Sequence, residues 1–192
     1  MKPSIEFYFD FSSPYGYLAS HKIEALAAKY ARGVTWRPIL LGVAFKATGS
    51  GPLPSIPLKG DYAKRDFLRS ARFHGVPFRM PEPFPVSTVG ACRAFYSLND
   101  PKEQVLLAKA LFRAYFVDNV NIGEASQVLN ISNSLGLRPE IESQTVKDKT
   151  RAEVEAALAK GVFGSPYIVI DGEPFWGVDR FDQIERWLKE PF

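Results

Sequence analysis

The sequence predicts an α/β fold in which one mixed β-sheet is built from the two ends of the chain. A strand–helix–strand pattern occupies residues 4–40, and a second group of strands followed by a helix occupies residues 165–192. Between them, apolar residues recur at helical spacing and no alternating strand pattern interrupts them. The chain has 192 residues, of which 46% are hydrophobic, and is therefore long enough for one domain with a substantial core.

The first strand is predicted at residues 4–11, which alternate in polarity and are rich in aromatic side chains. A helix is predicted at 14–31, since Pro14 suits the first helical turn and Gly33 follows the last apolar position. The second strand is predicted at 34–40. Two strands joined by a helix of this length lie parallel, with a right-handed crossover.

The middle of the chain opens with residues 42–60, which are rich in Gly, Pro and Ser and predict a long irregular loop. A second, proline-rich connector is predicted at 77–88. The remaining segments have helical periodicity. The predicted helices span about 60–74, 87–98, 101–118, 124–136 and 148–160.

Residues 165–177 predict a β-hairpin, because "YIVI" and "PFW" flank an Asp-Gly turn. Asp179 then precedes an amphipathic helix and is predicted to be its N-cap. The order of elements is that of a thioredoxin-like fold with an all-helical insertion. We expect a thioredoxin-like part at about 1–57 and 141–192, and an insertion at about 58–140.

Composition narrows the possible functions. No run approaches the roughly 20 apolar residues of a membrane span, and Glu6 and Asp10 argue against a signal peptide, so we expect a cytoplasmic protein. The net charge is +3 and basic residues are dispersed, which does not support nucleic-acid binding. The single cysteine, Cys92, excludes an internal disulfide and a Cys-x-x-Cys pair, and no residues have metal-ligand spacing.

Ser12 and Ser13 follow the first strand and precede a predicted helix. The carboxyl ends of strands in open α/β sheets are where ligands bind, and a helix N-terminus favours a negatively charged group such as a phosphate or a thiolate. The alternative is that one of these serines is only the N-cap of the helix.

Ser165 and Pro166 follow a glycine-containing loop and open an apolar strand. A cis bond here would leave the Ser165 N–H and C=O free to pair with an extended peptide ligand. The alternative is an ordinary trans proline that opens an edge strand.

Together, "FYFDFSSPYGYLAS" and "GVFGSPYIVIDGEPFWGVDRFDQIE" resemble the two signatures of the DsbA-like thioredoxin family. Within it the chain is similar to the branch of 2-hydroxychromene-2-carboxylate isomerases and kappa-class glutathione transferases. The likeness runs essentially end to end and includes "WRPILLG", "PLKGDYAKRD" and "GVPFRMP". The resemblance implies a DsbA-like fold, glutathione as cofactor and a homodimer.

The resemblance also implies a role for Ser13. The redox relatives carry Cys-Pro-X-Cys where this chain has Ser13-Pro14-Tyr15-Gly16, so disulfide exchange is not available. A hydroxyl can still donate to the thiolate of bound glutathione and lower the pKa of its thiol. We expect Ser13 to stabilise that thiolate rather than to be the nucleophile, since no His or Asp motif here suggests an activated serine.

The remaining contacts to glutathione follow from the same resemblance. Ser165, before Pro166, is expected to hold the cysteinyl backbone, and Asp179, next to Val178, the γ-glutamyl ammonium. Ser50 replaces an asparagine of the kappa enzymes and reaches less far, while Lys59 and Tyr62 match the family; a solvated surface charge is the alternative for Lys59. The implied glutathione-binding residues are Ser13, Pro14, Tyr15, Ser50, Lys59, Ser165, Pro166, Val178 and Asp179.

The activity implied is a glutathione-dependent isomerase that interconverts 2-hydroxychromene-2-carboxylate and trans-o-hydroxybenzylidenepyruvate in aromatic catabolism. Arg37, Lys46 and Lys59 are candidates to hold the carboxylate of this small aromatic substrate. Two alternatives remain open. One is a kappa-like glutathione transferase, and the other is a non-catalytic thioredoxin-fold protein that binds peptides or partners.

Overall fold

The sheet of the protein, described here from a computed structural model over residues 3–192, has four strands. They are β1 (Ile5–Phe9), β2 (Val34–Pro38), β3 (Tyr167–Ile170) and β4 (Glu173–Trp176), in the order β2-β1-β3-β4. β1 and β2 are parallel, whereas β3 is antiparallel to both β1 and β4. The prediction of one mixed sheet from both ends of the chain is confirmed.

The helices of the described chain lie between and after these strands, joined by turns and loops. Short 3₁₀ turns at Leu53–Ser55 and Val178–Arg180 precede α4 and α9 respectively. None of the helices within residues 3–192 is long and apolar enough to span a bilayer. The helices are α1 (Pro14–Ser20), α2 (Ile23–Lys29), α3 (Leu41–Thr48), α4 (Lys59–His74), α5 (Val89–Ser97), α6 (Pro101–Phe116), α7 (Ala125–Ser134), α8 (Gln144–Ala159) and α9 (Phe181–Lys189).

The prediction of one helix over 14–31 is wrong, because the chain turns between α1 and α2. The amides of His21 and Lys22 bond to carbonyls three residues earlier, at 3.3 and 2.9 Å, which tightens the turn. The Ser20 hydroxyl also donates to the Tyr17 carbonyl at 2.6 Å. α1 and α2 therefore do not form one continuous helix. The residues of α1 are buried except Tyr15.

The prediction of an irregular loop over 42–60 is also wrong, because α3 occupies its first half. α3 ends at Gly49, which has a left-handed φ of 69°. At the start of α3, the Leu41 amide donates to the Asp10 carboxylate at 2.8 Å. Such a distant capping group leaves no local sequence signal. α8 begins earlier than the predicted residue 148, since Ser143 caps it by accepting from the Val146 amide at 3.4 Å.

The two faces of the sheet are covered by different parts of the chain. On one face, Phe9 packs against Phe95 of α5 and Phe112 of α6, with ring centroids 6.3 and 5.4 Å apart. On the other, Tyr8 and Tyr167 join a smaller cluster with Ala157 of α8. The inserted helices therefore share a core with the sheet, and the division near residues 57 and 140 stays a prediction.

Candidate active site

Ser13 lies just beyond the carboxyl end of β1 and is the N-cap of α1. Its backbone is extended (φ −92°, ψ 113°), and its Oγ accepts a hydrogen bond from the Gly16 amide at 3.0 Å. The same hydroxyl donates to the Ser165 carbonyl oxygen at 3.0 Å. The capping role and the contact to the second motif are therefore both present in one side chain.

The Ser165–Pro166 peptide bond is cis, as one of the two alternatives predicted. We expected the Ser165 carbonyl to be free, but it accepts a hydrogen bond from the Ser13 hydroxyl. Its amide has no hydrogen-bond partner within residues 3–192, although the residue is only 9% exposed. One backbone donor is thus left at the end of the sheet to pair with an extended ligand.

Gly16 lets the two motifs approach each other. A Cβ placed on this residue would lie 2.6 Å from the Ser165 Oγ and 3.3 Å from the Ser13 Oγ. The first distance is shorter than carbon and oxygen tolerate, so the Ser165 hydroxyl would have to move, and the second is a tight contact. The fourth position of Ser13-Pro14-Tyr15-Gly16 therefore needs glycine for the Ser13–Ser165 contact to form.

Asp10 is a residue of the site that the sequence analysis missed. Its Oδ1 accepts from the Ser12 amide at 2.7 Å, and its Oδ2 accepts from the Leu41 amide at 2.8 Å. The Thr88 hydroxyl lies 3.2 and 3.3 Å from the same two oxygens. Asp10 is 4% exposed, and burial raises the pKa of its carboxyl to about 6, against the lowering effect of these hydrogen bonds.

Ser12 faces a different part of the protein from Ser13. Its Oγ accepts from the Val86 amide at 3.2 Å, in the connector before α5. Residues 10–13 form a turn, closed by the Ser13 amide on the Asp10 carbonyl at 2.9 Å, and the two serine side chains leave this turn toward different partners. Ser12 therefore anchors the connector, and Ser13 is the serine that meets Ser165.

Tyr15 connects the site to α4. Its hydroxyl donates to Asp66, and its ring meets Phe67 edge-on with centroids 5.0 Å apart. Burial, followed by the hydrogen bond to Asp66, raises the pKa of the Tyr15 phenol. Arg69 binds Asp66 and also donates to the Tyr62 hydroxyl at 3.0 Å. This group places exposed aromatic and charged side chains beside α1.

Val178 and Asp179 lie in the 3₁₀ turn that contacts α1. The prediction that Asp179 caps the last helix is wrong, because Arg180 precedes α9 and no side chain caps it. The Asp179 side chain is 68% exposed and pairs with Arg180 at 2.9 Å, while Val178 is buried. The Asp179 carboxylate is thus available at the surface of this turn.

The other predicted cationic and polar residues are more dispersed. Ser50 follows the end of α3 and Lys59 begins α4, and both are exposed. No hydrogen bond joins their side chains to the Ser13–Ser165 pair in the described chain. Arg37 is bound to Glu6 and Glu153, at 3.1 and 3.0 Å, on the α8 side of the sheet. Lys46 is exposed on α3.

The DSBA-like thioredoxin domain family matches residues 4–189. The chain belongs to this family. A 2-hydroxychromene-2-carboxylate isomerase from Sphingobium xenophagum is 29% identical over 199 residues, covering 98% of this chain and 99% of that protein. Glutathione S-transferase kappa 2 from Caenorhabditis elegans is 27% identical over 209 residues, covering 98% and 92%.

A solved 2-hydroxychromene-2-carboxylate isomerase is also similar in structure. It has a TM-score of 0.86 and 26% identity, and the alignment covers 96% of this chain and 94% of that one. Ser13 and Gly16 begin and end the Ser13-Pro14-Tyr15-Gly16 segment at the start of α1, so the segment offers no thiol. Its one cysteine, Cys92, is buried on α5, and burial raises the pKa of its thiol.

Proposed function

We propose that the protein is a glutathione-dependent isomerase that interconverts 2-hydroxychromene-2-carboxylate and trans-o-hydroxybenzylidenepyruvate. The observation that carries the proposal is the hydrogen bond of the Ser13 hydroxyl to the Ser165 carbonyl. It places a hydroxyl group, instead of a thiol, beside the Ser165 amide, which is free to donate. The end-to-end likeness to named isomerases supports the same activity.

The residues at the site fit glutathione. The Ser165 amide, buried and without a partner in residues 3–192, suits a peptide carbonyl of the tripeptide. The exposed Asp179 carboxylate suits its ammonium group, and Lys59 suits a carboxylate. When bound, glutathione supplies a thiolate that can add reversibly to a conjugated double bond.

Ser13 then has a defined task. In the free protein its proton is directed to the Ser165 carbonyl, and a rotation about one bond redirects it to a sulfur at the end of α1. The amide of Tyr15, in the first turn of α1, adds a second donor at that position. Both donors favour the thiolate over the thiol, before addition to the substrate and again after release.

The three predicted cations differ in how well they would suit the carboxylate of the substrate. Arg37 is already neutralised by two carboxylates, so it is the weakest of the three predicted cations. Lys59 begins the helix that carries Tyr62, whose exposed ring offers aromatic surface to a planar substrate. Lys59 therefore suits either the glycyl carboxylate of glutathione or the carboxylate of the substrate, and Lys46 is the candidate for the substrate if Lys59 binds glutathione.

The test is to add 2-hydroxychromene-2-carboxylate to the purified protein with and without glutathione, and to follow both isomers by absorbance. We expect interconversion that requires glutathione and falls in Ser13→Ala. The kappa relatives favour a second candidate, a glutathione transferase. A product that retains glutathione by mass would establish the transferase instead, and glutathione binding without any turnover would leave a binding protein.

A cytoplasmic location and a homodimer belong to the same proposal. Light scattering of the purified protein measures the mass of the assembly directly. A mass near twice the 21.5 kDa of the chain is expected. A monomer that is fully active would remove the dimer from the proposal without affecting the isomerase activity.

A further inference from the structure

Asp10 connects both halves of the candidate site through its side chain and its backbone. Its carboxylate accepts the Ser12 amide, and its carbonyl accepts the Ser13 amide at 2.9 Å. Its own amide donates to the Ser165 Oγ at 3.0 Å. One residue therefore fixes the turn that carries Ser13 and the loop that carries Ser165.

We propose that Asp10, in its ionised form, is a positioning residue: its carboxylate fixes the turn before Ser13 to the start of α3, and this keeps its backbone bonds to Ser13 and Ser165 in the geometry needed to bind glutathione. The inference rests on the proposed function, since glutathione is the ligand whose binding it explains. Only 4% of Asp10 is exposed, so it acts on a ligand through the residues that its backbone binds, Ser13 and Ser165.

The geometry requires an acceptor at both carboxylate oxygens. Oδ1 faces the Ser12 N–H and Oδ2 faces the Leu41 N–H, and a backbone amide can only donate. The Thr88 hydroxyl is the one partner of the carboxylate that can either donate or accept. Protonation therefore weakens the hydrogen bond to one of the two amides, while Thr88 can reverse its role.

The groups around the carboxylate do not neutralise its charge. Its titratable neighbours in the described chain are the Cys92 thiol on α5 and the Tyr115 phenol on α6. Burial is the main cause that raises the pKa of each of these two groups. Hydrogen bonds alone favour its ionised form, and burial raises its pKa to about 6. A buried charge without a cation is costly, which favours a role in the site over a role in stability.

The experiment measures binding of S-methylglutathione by calorimetry between pH 5 and 8. This probe lacks an ionisable thiol, so thiol titration does not contribute to the pH profile. The variants are Asp10→Asn, which puts an amide donor against a backbone amide, and Thr88→Val, which keeps the carboxylate but removes one donor. Asp148→Asn is the matched control, since Asp148 is an exposed residue on α8 that pairs with Arg151.

We expect wild-type affinity to fall below about pH 6. Asp10→Asn should bind S-methylglutathione about tenfold more weakly than the wild type at pH 7.5, and its affinity should not change between pH 5 and 7. Thr88→Val should move the midpoint to higher pH, and Asp148→Asn should match the wild type. An Asp10→Asn profile that parallels the wild type would overturn the proposal.

Amide NMR of the ligand-free wild type provides the second measurement. The Ser12 and Leu41 amides should titrate together with a midpoint near pH 6, and independent or absent titrations would refute the role of Asp10 even if Asp10→Asn fails to fold. The two amides could titrate together although the wild type binds no S-methylglutathione at any pH. In that case the glutathione assignment is wrong, and the role of Asp10 in fixing the Ser12 and Leu41 segments is confirmed.

Discussion

The Ser13 hydroxyl donates to the Ser165 carbonyl oxygen at 3.0 Å, across 152 positions of the chain. This bond joins the N-cap of α1 to the loop before β3, so the two sequence motifs form one site. The Ser13 proton has a protein acceptor in the absence of ligand, and a bound thiolate must compete with that carbonyl for it.

The first prediction concerns the thiol pKa of bound glutathione. Ser13→Ala should raise it by about one unit, because one hydroxyl donor contributes on the order of 1 kcal/mol and each pKa unit corresponds to about 1.4 kcal/mol. The thiolate absorbance of the complex, titrated against pH, measures the change. Ser12→Ala is the control, since Ser12 accepts from Val86 on the other side of the segment. A shift in Ser12→Ala alone would show that the wrong serine has been assigned.

The second prediction is that Gly16→Ala damages the site. Its Cβ would lie 2.6 Å from the Ser165 Oγ, so this hydroxyl must move and the hydrogen bond that it accepts from the Asp10 amide is disturbed. We expect a loss of about 1–3 kcal/mol in the free energy of unfolding, typical of overpacking, and weaker glutathione binding. Gly42→Ala is the control, because Gly42 lies within α3 with no atom within 4 Å of the added methyl group. Chemical denaturation should show Gly42→Ala unchanged or more stable by about 0.5–1 kcal/mol. Equal losses in both variants would contradict the steric argument.

The third prediction is redox inertness. Cys92 is fully buried and burial raises the pKa of its thiol, so the reactive thiolate is scarce at neutral pH. We expect no reduction of insulin disulfides by the wild type, and the same result for Cys92→Ser. Alkylation of Cys92 by iodoacetamide should require unfolding. Insulin reduction that disappears in Cys92→Ser would argue against this account of the site.

The fourth prediction follows from the Asp10 pKa, which is raised from 3.8 to about 6. Between these values the folded protein binds more protons at this residue than the unfolded chain does. The contribution of Asp10 to the free energy of unfolding therefore falls as pH rises from about 4 to about 6, by on the order of 3 kcal/mol.

Urea denaturation of the wild type and Asp10→Asn over this pH range measures that contribution as a difference. The difference, wild type minus variant, should decrease as pH rises and level off above about pH 6. Groups with lowered pKa values, such as Glu6, titrate in both proteins and cancel. A difference that stays constant with pH would show that Asp10 has an ordinary pKa.

The sequence predicted the elements whose signals are local. The parallel pair β1–β2, the hairpin β3–β4 and the cis Ser165–Pro166 bond, one of two alternatives, each followed from a short motif, whereas the hydrogen bond of Ser13 to the Ser165 carbonyl was not predicted. Asp10 was interpreted only as a charge that argues against a signal peptide. Its partners Leu41 and Thr88 lie far along the chain, so its role depends on packing that no local pattern records.

The wrong predictions also arise from contacts between residues that are far apart in the sequence. α3 was missed because Gly and Pro dominate residues 42–60, whereas a carboxylate 31 positions earlier supports its first turn. Asp179 was predicted to be an N-cap because a 3₁₀ turn before α9 looks, in sequence, like the helix itself. In both cases the backbone conformation depends on contacts between distant segments.

The order of strands has a consequence for how the chain folds. β1 lies between β2, its neighbour in sequence, and β3, which joins it only through pairs such as Phe7 with Ile168. During synthesis β1 therefore keeps one hydrogen-bonding edge unpaired until more than 150 further residues have been added. Closing so long a loop slows folding, so the β1 edge that pairs with β3 is among the last parts of the sheet to form.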